Sequence, residues 1–314
     1  MDLIRGYHNL RPQHRGCVLS IGNYDGVHRG HQALLAQLRR RAVEFGVPAA
    51  VQIFEPTPRE VFAAQQAPGR VQTLRDKLAA LRDQSVERVL CVRFSQAFAA
   101  RTAESFVRDM LVAQLGVKAI VVGEDFCFGA GRGGNIQLLR TLGAAHDFVV
   151  DAVADVLDQG QRVSSTAIRT ALAQPDLARA ADLLGRPLLI SGRVGYGRQL
   201  GRTLDMPTAN IALRRRPALR LGVYAVRVRV GQDSQWQPAV ANLGQRPSVT
   251  AERRVLLETH LLGQCPNLYG RCLQVRIEQF IRPEQKFDSL DALKLQMQAD
   301  RARAETLLRS DKGS

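Results

Sequence analysis

The sequence predicts an α/β domain with a parallel sheet, followed by a smaller domain of antiparallel strands and a C-terminal helix. Up to about residue 160, strand-like apolar runs alternate with helical patterns. Apolar runs of this kind, without polar alternation, are typical of a parallel sheet covered on both faces. Beyond Gly185, apolar residues recur with a period of two, which is typical of half-buried antiparallel strands. A chain of 314 residues is long enough for about two domains, and we place them at residues 1–185 and 186–314.

The alternation defines the expected elements of the first domain. Strands are predicted at residues 17–21, 49–54, 89–94, 118–123 and 148–156. Helices are predicted after His28, after Thr73, from the cap residue Thr102, at 165–173 and at 176–184, with Gly185 as the stop.

The second domain is expected to be mostly strands. These are predicted at residues 188–194, 223–230, 255–262 and 273–278. The closing helix would be capped by Asp288 and would run to Leu307.

The composition narrows the class of partner. Lys and Arg total 44 against 29 acids, a formal net charge of +15. This charge suits nucleic acid or anionic nucleotides. However, the basic residues are spread along the chain, aromatics are few and no RNA-binding signature occurs. We therefore favour small phosphate-bearing substrates, with neither nucleic acid nor a membrane as partner, on a monomer or weak homo-oligomer.

Cellular location is indicated by two features. No run of about 18 apolar residues occurs, and the N-terminus has no apolar signal core. The five cysteines, Cys17, Cys91, Cys127, Cys265 and Cys272, form no C-x-x-C pair and no zinc spacing, so we expect free, buried thiols in a reducing cytoplasm.

The motif His28-x-Gly-His31 lies between a strand and a helix. Two histidines at a helix start can donate to one anion, and the helix N-terminus adds N–H groups and a positive dipole end. Gly30 would let a phosphate approach the backbone. The alternative is a pair of caps or surface residues. The tight turn at Asn23, Asp25 and Gly26 favours the phosphate site, because it puts the motif at the carboxyl end of a strand.

Two further segments of the first domain have binding chemistry. Asp125, Phe126 and Phe128 follow a strand and could line a pocket for a planar ring, or belong to a mobile loop. Ser165, Thr166 and Arg169 open a helix and suit a triphosphate. An ordinary N-cap is the alternative there, and pairing with His28 and His31 favours a phosphate clamp.

The second domain offers three polar candidates. Thr208 and Asn210 could supply oxygen ligands to Mg²⁺, or could be turn residues. Glu258 lies in a strand, where it could point to solvent or act as a general base. The spacing alone leaves both alternatives open.

Taken in order, these motifs resemble the bacterial bifunctional riboflavin kinase/FAD synthetases over nearly the whole chain. The resemblance rests on Gly22-Asn23-Tyr24-Asp25-Gly26-Val27-His28 with Gly30-His31, Gly123-Glu124-Asp125-Phe126, Ser164-Ser165-Thr166, Gly201-Arg202-Thr203, Pro207-Thr208-Ala209-Asn210, Gly222-Val223-Tyr224, Asn242-Leu243-Gly244 and Gln285-Lys286-Phe287-Asp288. Each segment is modestly specific, and their joint order is highly specific.

The resemblance implies a Rossmann-like nucleotidyltransferase domain followed by a Greek-key β-barrel kinase domain. The first would transfer AMP from ATP to FMN, giving FAD and pyrophosphate. The second would phosphorylate riboflavin with ATP to give FMN.

The resemblance also implies a role for each candidate residue. His28 and His31 would stabilise the adenylyl transition state, while Asn23, Asp125, Phe126 and Phe128 would line the flavin pocket. Thr208 and Asn210 would hold Mg²⁺ with ATP, and Glu258 would activate the ribityl 5′-hydroxyl. The ATP phosphates would be bound by Gly22, Gly30, Ser165, Thr166, Arg169, Gly201 and Arg202.

Several positions depart from the family pattern without removing a proposed catalytic group, namely Tyr24, Thr57, Leu200, Met206 and Gly263-Gln264. Three other interpretations stay open. They are a FAD synthetase with a degenerate kinase domain, a His-x-Gly-His nucleotidyltransferase with another phosphate acceptor, and a nucleic-acid-binding protein that uses the positive charge.

Overall fold

The computed structural model describes residues 1–195, 206–231, 235–246, 254–263 and 267–310. The chain folds as two compact units. The first comprises Met1–Pro68 with Lys77–Ser164, and the second comprises Gly69–Asp76 with Ser165–Ser314. Residues 165–184 therefore pack with the C-terminal unit, although the sequence-based boundary at Gly185 assigns them to the first domain.

The first unit is built on a six-stranded sheet in which every neighbouring pair is parallel. Its order is β1-β4-β3-β2-β5-β6. The strands are β1 (Asp2–Arg5), β2 (Cys17–Ile21), β3 (Ala49–Phe54), β4 (Arg88–Val92), β5 (Val117–Gly123) and β6 (Val149–Val153). The central strands are buried along almost their whole length, which confirms the predicted covered parallel sheet.

Helices connect these strands. They are α1 (Arg29–Phe45), α2 (Pro58–Phe62), α3 (Leu74–Asp83), α4 (Gln96–Ala99), α5 (Ala103–Ser105) and α6 (Ile136–Ala145). The side chain of Thr102 caps α5 as predicted, and the chain then continues as a π-helix over Phe106–Leu115. A short hairpin of β7 (Leu157–Asp158) and β8 (Gln161–Arg162) follows the sheet.

The second unit is a closed antiparallel barrel in the order β10-β13-β12-β11-β14-β9. Its strands are β9 (Leu189–Gly195), β10 (Ala209–Leu213), β11 (Gly222–Val230), β12 (Gln237–Arg246), β13 (Arg254–Leu261) and β14 (Cys272–Arg282). Three successive strands pair in sequence and β14 returns beside β11, which is the Greek-key arrangement. Inward residues alternate along β13, where Leu257 and Thr259 are fully buried.

Within the described residues, three helices accompany the barrel. Two precede it, α7 (Ser165–Ala173) and α8 (Leu177–Leu184), and α8 ends at Gly185 in the left-handed conformation, as predicted. The third is α9 (Leu290–Ser310), which packs against Val223, Ala225 and Val240.

The prediction that Asp288 caps the closing helix is wrong. The side chain of Ser289 accepts the N–H of Ala292 instead, and α9 begins one residue later. The observed ends of other strands differ from the predicted ends by a few residues. For example, β4 ends at Val92 rather than at residue 94, and β14 extends to Arg282 rather than ending at residue 278. Strands β1, β10 and β12 were not predicted. The short strands β1 and β10, of four and five residues, give little periodic signal.

Two sequence-level expectations concern the whole chain. Among the described residues, no helix combines the length and apolar character needed to cross a membrane. Cys17, Cys127 and Cys272 are free thiols; Cys17 is buried as expected, whereas Cys127 and Cys272 are only half-buried. Burial raises the pKa of Cys17 to about 12. Cys265 lies outside the described residues.

An ion pair between half-buried Arg282 and buried Asp300 connects β14 to α9. Arg282 donates from Nε to Asp300 Oδ1 at 2.9 Å and from Nη2 to Oδ2 at 2.7 Å, and Asp300 is 5% exposed.

We expect Asp300→Asn to lower the free energy of unfolding by about 3 kcal/mol, because it leaves the largely desolvated guanidinium of Arg282 without its counter-charge. Chemical denaturation followed by circular dichroism measures this. Glu305→Gln on the same helix is the control, since its exposed pair contributes less than about 1 kcal/mol. Equal losses in both variants would contradict the assignment.

Candidate functional site

The strand order of the parallel sheet reverses beside β2. From β2 the chain proceeds to β3 and β4 on one side, whereas β5 and β6 lie on the other. In open parallel sheets, ligands bind in the crevice at the carboxyl ends of the strands where the order reverses. Residues 22–28 follow β2 and residues 124–128 follow β5, so the fold brings the His-x-Gly-His motif and the predicted ring-binding loop to this edge.

The turn after β2 has a strained backbone. Tyr24 has a φ angle of 48° and Val27 has one of 42°. Gly26, which directly precedes Val27, has a φ angle of 100°. A positive φ is costly for a bulky residue and more so for a β-branched one, so surrounding contacts must hold the turn. The Tyr24 hydroxyl donates to Ser20 Oγ at 2.6 Å, and both residues are buried.

Two long side chains hold the same turn through its carbonyls. Lys77 is fully buried and donates from Nζ to the carbonyl of Asn23 at 2.6 Å. Gln32 donates from Nε2 to the carbonyl of Val27 at 2.9 Å. These two bonds fix both ends of the turn, and so fix where α1 begins.

The two motif histidines form a stacked pair at the start of α1. His28 is the N-cap and its Nδ1 accepts the backbone N–H of His31 at 3.3 Å, while the ring centroids lie 3.6 Å apart. The Tyr24 ring lies 4.8 Å from that of His31. Because Nδ1 of His28 accepts, its neutral ring carries the proton on Nε2. The backbone N–H of His31 is used by this cap and is therefore not available to a ligand.

The glycines beside the pair are required by close packing. A Cβ on Gly30 would lie 3.2 Å from the His28 ring and 3.3 Å from the carbonyl of Val163. A Cβ on Gly22 would lie 3.2 Å from the Tyr24 ring. Both glycines therefore make room for the aromatic side chains of the site, a reason that the sequence analysis did not give.

The loop after β5 presents one acid and two aromatic rings. Asp125 is exposed and pairs with Arg162 at 2.8 Å. Phe126 stacks on Phe128 with centroids 5.6 Å apart, and Phe128 is buried in the hydrophobic core. Phe128 thus supports Phe126 from the core side.

A row of phenylalanines continues from this loop along the sheet edge, and the sequence analysis missed it. Phe106 links Phe128 to Phe98, which packs with Phe54 and Phe94. The row ends at Phe62, whose ring lies 5.6 Å from that of Phe94 and which is 63% exposed. The available signal was position, since Phe54 ends β3 and Phe94 follows β4.

The predicted triphosphate residues are on α7. Ser165 is its first residue, Thr166 is exposed, and Arg169 donates from Nε to the carbonyl of Gly69 at 2.9 Å. They belong to the second compact unit, whereas the histidines belong to the first. Their joint action as a clamp stays a prediction.

A row of three polar residues crosses the outer face of the barrel. Glu258 on β13 lies opposite Asn210 on β10 and opposite Asn242 on β12. Their strand neighbours Ile211, Leu257 and Leu243 are buried in the barrel interior. The register therefore brings together Asn210 and Glu258, which the sequence analysis had considered separately.

Asn210 carries an orphaned polar atom. The residue is 7% exposed, and its Oδ1 has no hydrogen-bond partner among the described residues. Its Nδ2 donates to the carbonyl of Thr208 at 3.4 Å. In the described part of the chain, no three His, Cys, Asp or Glu side chains form a metal-binding group. Gly201, Arg202 and Leu200 lie outside the described residues.

Matches to known families give the class of protein. Residues 10–167 match the FAD synthetase family and residues 184–308 match the riboflavin kinase family. The chain is thus an enzyme with two transferase domains of flavin nucleotide synthesis. It belongs to the family of bifunctional riboflavin kinase/FMN adenylyltransferases.

The chain is similar over nearly its whole length to relatives whose names state both activities. The chain is 50% identical over 307 residues to the bifunctional riboflavin kinase/FMN adenylyltransferase of Pseudomonas fluorescens, covering 98% of each chain. It is 50% identical over 302 residues to the enzyme of that name from Escherichia coli strain K12, covering 96% of each. A crystal structure described as a macrolide-efflux protein from Streptococcus pneumoniae aligns with a TM-score of 0.77 and 28% identity, over 97% of this chain and 99% of that one.

We predict that Lys77 is required for the fixed conformation of the turn after β2. Lys77→Met keeps most of the side-chain volume but removes the donor to Asn23, so the turn should relax. Hydrogen exchange of the peptide that spans residues 22–32 should become at least about tenfold faster, equivalent to about 1.4 kcal/mol of local opening. Lys118→Met, at an exposed position of β5, is the control. Unchanged exchange in Lys77→Met would contradict the assignment.

Proposed function

We propose that the α/β unit transfers AMP from ATP to FMN and that the barrel unit phosphorylates riboflavin with ATP. The observation that carries this proposal is the 50% identity, over nearly the full length, to relatives named for both activities. The two polar sites described above support it, because each compact unit has its own set of donors and acceptors.

In the adenylyl transfer, a phosphate oxygen of FMN forms a bond to the α-phosphorus of ATP. The bond from that phosphorus to the bridging oxygen breaks, and pyrophosphate leaves. His28 and His31 donate to the negative charge that develops on the α-phosphate and the leaving group. A preorganised donor of this kind contributes roughly 10²–10³ in rate. The stacking of the rings and the N-cap bond keep both side chains in place.

The flavin is proposed to bind along the row of phenylalanines. Exposed Phe62 and half-buried Phe126 would contact the isoalloxazine ring, while Phe128 supports Phe126 from the core. Asn23 and Asp125 lie at the carboxyl ends of β2 and β5 and would bind polar groups of the flavin or the nucleotide.

We assign binding of the ATP phosphates in this reaction to two sets of residues, one beside the histidine motif and one on α7. Gly22 and Gly30 allow close packing of the turn after β2. Ser165, Thr166 and Arg169 would bind phosphate oxygens at the start of α7, where N–H groups and a guanidinium suit an anion.

In the kinase reaction, the ribityl 5′-oxygen of riboflavin forms a bond to the γ-phosphorus of ATP, and ADP leaves. Glu258 accepts the hydroxyl proton as general base. Thr208 and Asn210 would hold Mg²⁺, which binds few protein oxygens alongside substrate phosphates. The buried Oδ1 of Asn210, which has no hydrogen-bond partner in the described part of the chain, fits this metal. When bound, Mg²⁺ neutralises phosphate charge, and Gly201 and Arg202 would add phosphate contacts.

We further propose that the enzyme works in the cytoplasm as a monomer or weak homo-oligomer. The free thiols of Cys17, Cys127 and Cys272 suit a reducing compartment.

The division of labour between the units predicts opposite effects of two substitutions. His31→Ala should abolish FAD formation from FMN but leave FMN formation from riboflavin near the wild-type rate. Glu258→Ala should abolish FMN formation but leave FAD formation when FMN is supplied. Chromatography of the flavins measures both reactions, with His8→Ala and Glu305→Ala as controls. Equal loss of both activities in either variant, with the fold intact, would contradict the proposal.

A further inference from the structure

His260 lies on the outer face of the barrel beside the proposed kinase site. It follows Glu258 by two residues on β13, so the two side chains point to the same side of the sheet. The residues between and beyond them, Thr259 and Leu261, are buried in the interior. His260 is itself only 6% exposed, which is unusual for a histidine with no assigned role.

Among the described residues, the His260 ring makes one hydrogen bond, to the segment that carries Thr208. Its Nδ1 lies 2.9 Å from the carbonyl oxygen of Pro207. A carbonyl oxygen can only accept, so Nδ1 carries the proton and donates.

This bond fixes the backbone at Pro207, a residue that the pairing between β10 and β13 does not reach. The pairing of β10 with β13 begins at Ala209, opposite Thr259. Pro207 has no N–H and cannot donate to a further ladder bond. The side chain of His260 binds its carbonyl instead, so Thr208 lies between one point fixed by the ladder and one fixed by the imidazole.

The surroundings of the other ring nitrogen, Nε2, are consistent with a neutral His260 ring whose single proton is on Nδ1. Nε2 is buried and has no hydrogen-bond partner among the described residues. Burial lowers the pKa of His260, and nearby Arg301 on α9 lowers it further. The bond to Pro207 opposes this shift without changing the direction.

We propose that His260 is a positioning residue for the kinase reaction, because its Nδ1–H fixes Pro207 and thereby holds Thr208 and Asn210 in place to receive Mg²⁺ and ATP. This inference rests on the proposed role of Thr208 and Asn210. Partners that orient metal ligands in this way typically change metal affinity or activity about 10–100-fold when they are removed.

Two amide substitutions at the same position separate positioning from packing. In His260→Asn, the side-chain nitrogen stands as many bonds from Cα as Nδ1 does and can still donate to Pro207. In His260→Gln, the nitrogen stands where Nε2 does, so the donation is lost. Both variants are neutral and polar, and FAD formation from FMN on the other unit reports on the integrity of the chain in each.

The first readout is the binding of Mn²⁺, as a substitute for Mg²⁺, with ADP, measured by electron paramagnetic resonance. We define Mn²⁺ binding at the kinase site as the part of the total Mn²⁺ binding that is lost in Asn210→Ala. We expect His260→Gln to weaken this part at least about tenfold, and His260→Asn to stay within about threefold of the wild type.

The second readout is the rate of FMN formation as a function of Mg²⁺ concentration. We expect the Gln variant to need more Mg²⁺ and the Asn variant to restore the wild-type requirement. If the Gln variant does not fold, His260→Ala replaces it in both measurements.

Two results would overturn the inference in distinguishable ways. Wild-type Mn²⁺ affinity in both His260→Gln and His260→Ala, or equal weakening in the Asn and Gln variants, would show that His260 only packs, while the proposed metal role of Asn210 stands. No change of Mn²⁺ binding in Asn210→Ala would remove that role and the inference with it.

Discussion

The bond from the buried ammonium of Lys77 to the carbonyl of Asn23 holds the turn on which the adenylyl-transfer site depends. That turn contains two non-glycine residues at positive φ, which a free chain would rarely adopt. Its conformation determines where α1 begins, and so determines where the rings of His28 and His31 stack. A charge-assisted bond of this kind contributes about 1.5–3 kcal/mol, which is comparable with the cost of the strained backbone.

In the barrel, the proposed site residues are held in place mainly by strand pairing rather than by a strained turn. Its proposed phosphate and metal groups lie on regular strands, so the ladder itself aligns Asn210, Glu258 and Asn242 in one row. The ladder ends at Ala209, before Thr208, and at that point a side-chain donor from His260 continues the pairing. In both units, the proposed catalytic groups come directly after or within strands, and a buried donor binds the backbone carbonyl at the point where regular strand pairing stops.

The sequence predicted the fold class and most elements, because the parallel strands are long apolar runs and the barrel strands alternate cleanly. It could not predict the strand order, which places the loop after β5 beside the turn after β2. Nor could it predict Lys77 or His260 as supports, since a lysine within a helical pattern and a histidine within a strand pattern are usually solvent-exposed. The row from Phe62 to Phe126 was missed for a different reason, since its members are far apart in the sequence and meet only at the sheet edge.

The most direct test of two activities on one chain is a chromatographic time course with riboflavin, ATP and Mg²⁺. The account predicts that FMN appears first and then gives way to FAD, with each product formed by the unmodified protein alone. FAD formation only when FMN is supplied would contradict the kinase assignment of the barrel. Absence of any flavin product from either substrate would contradict the account as a whole.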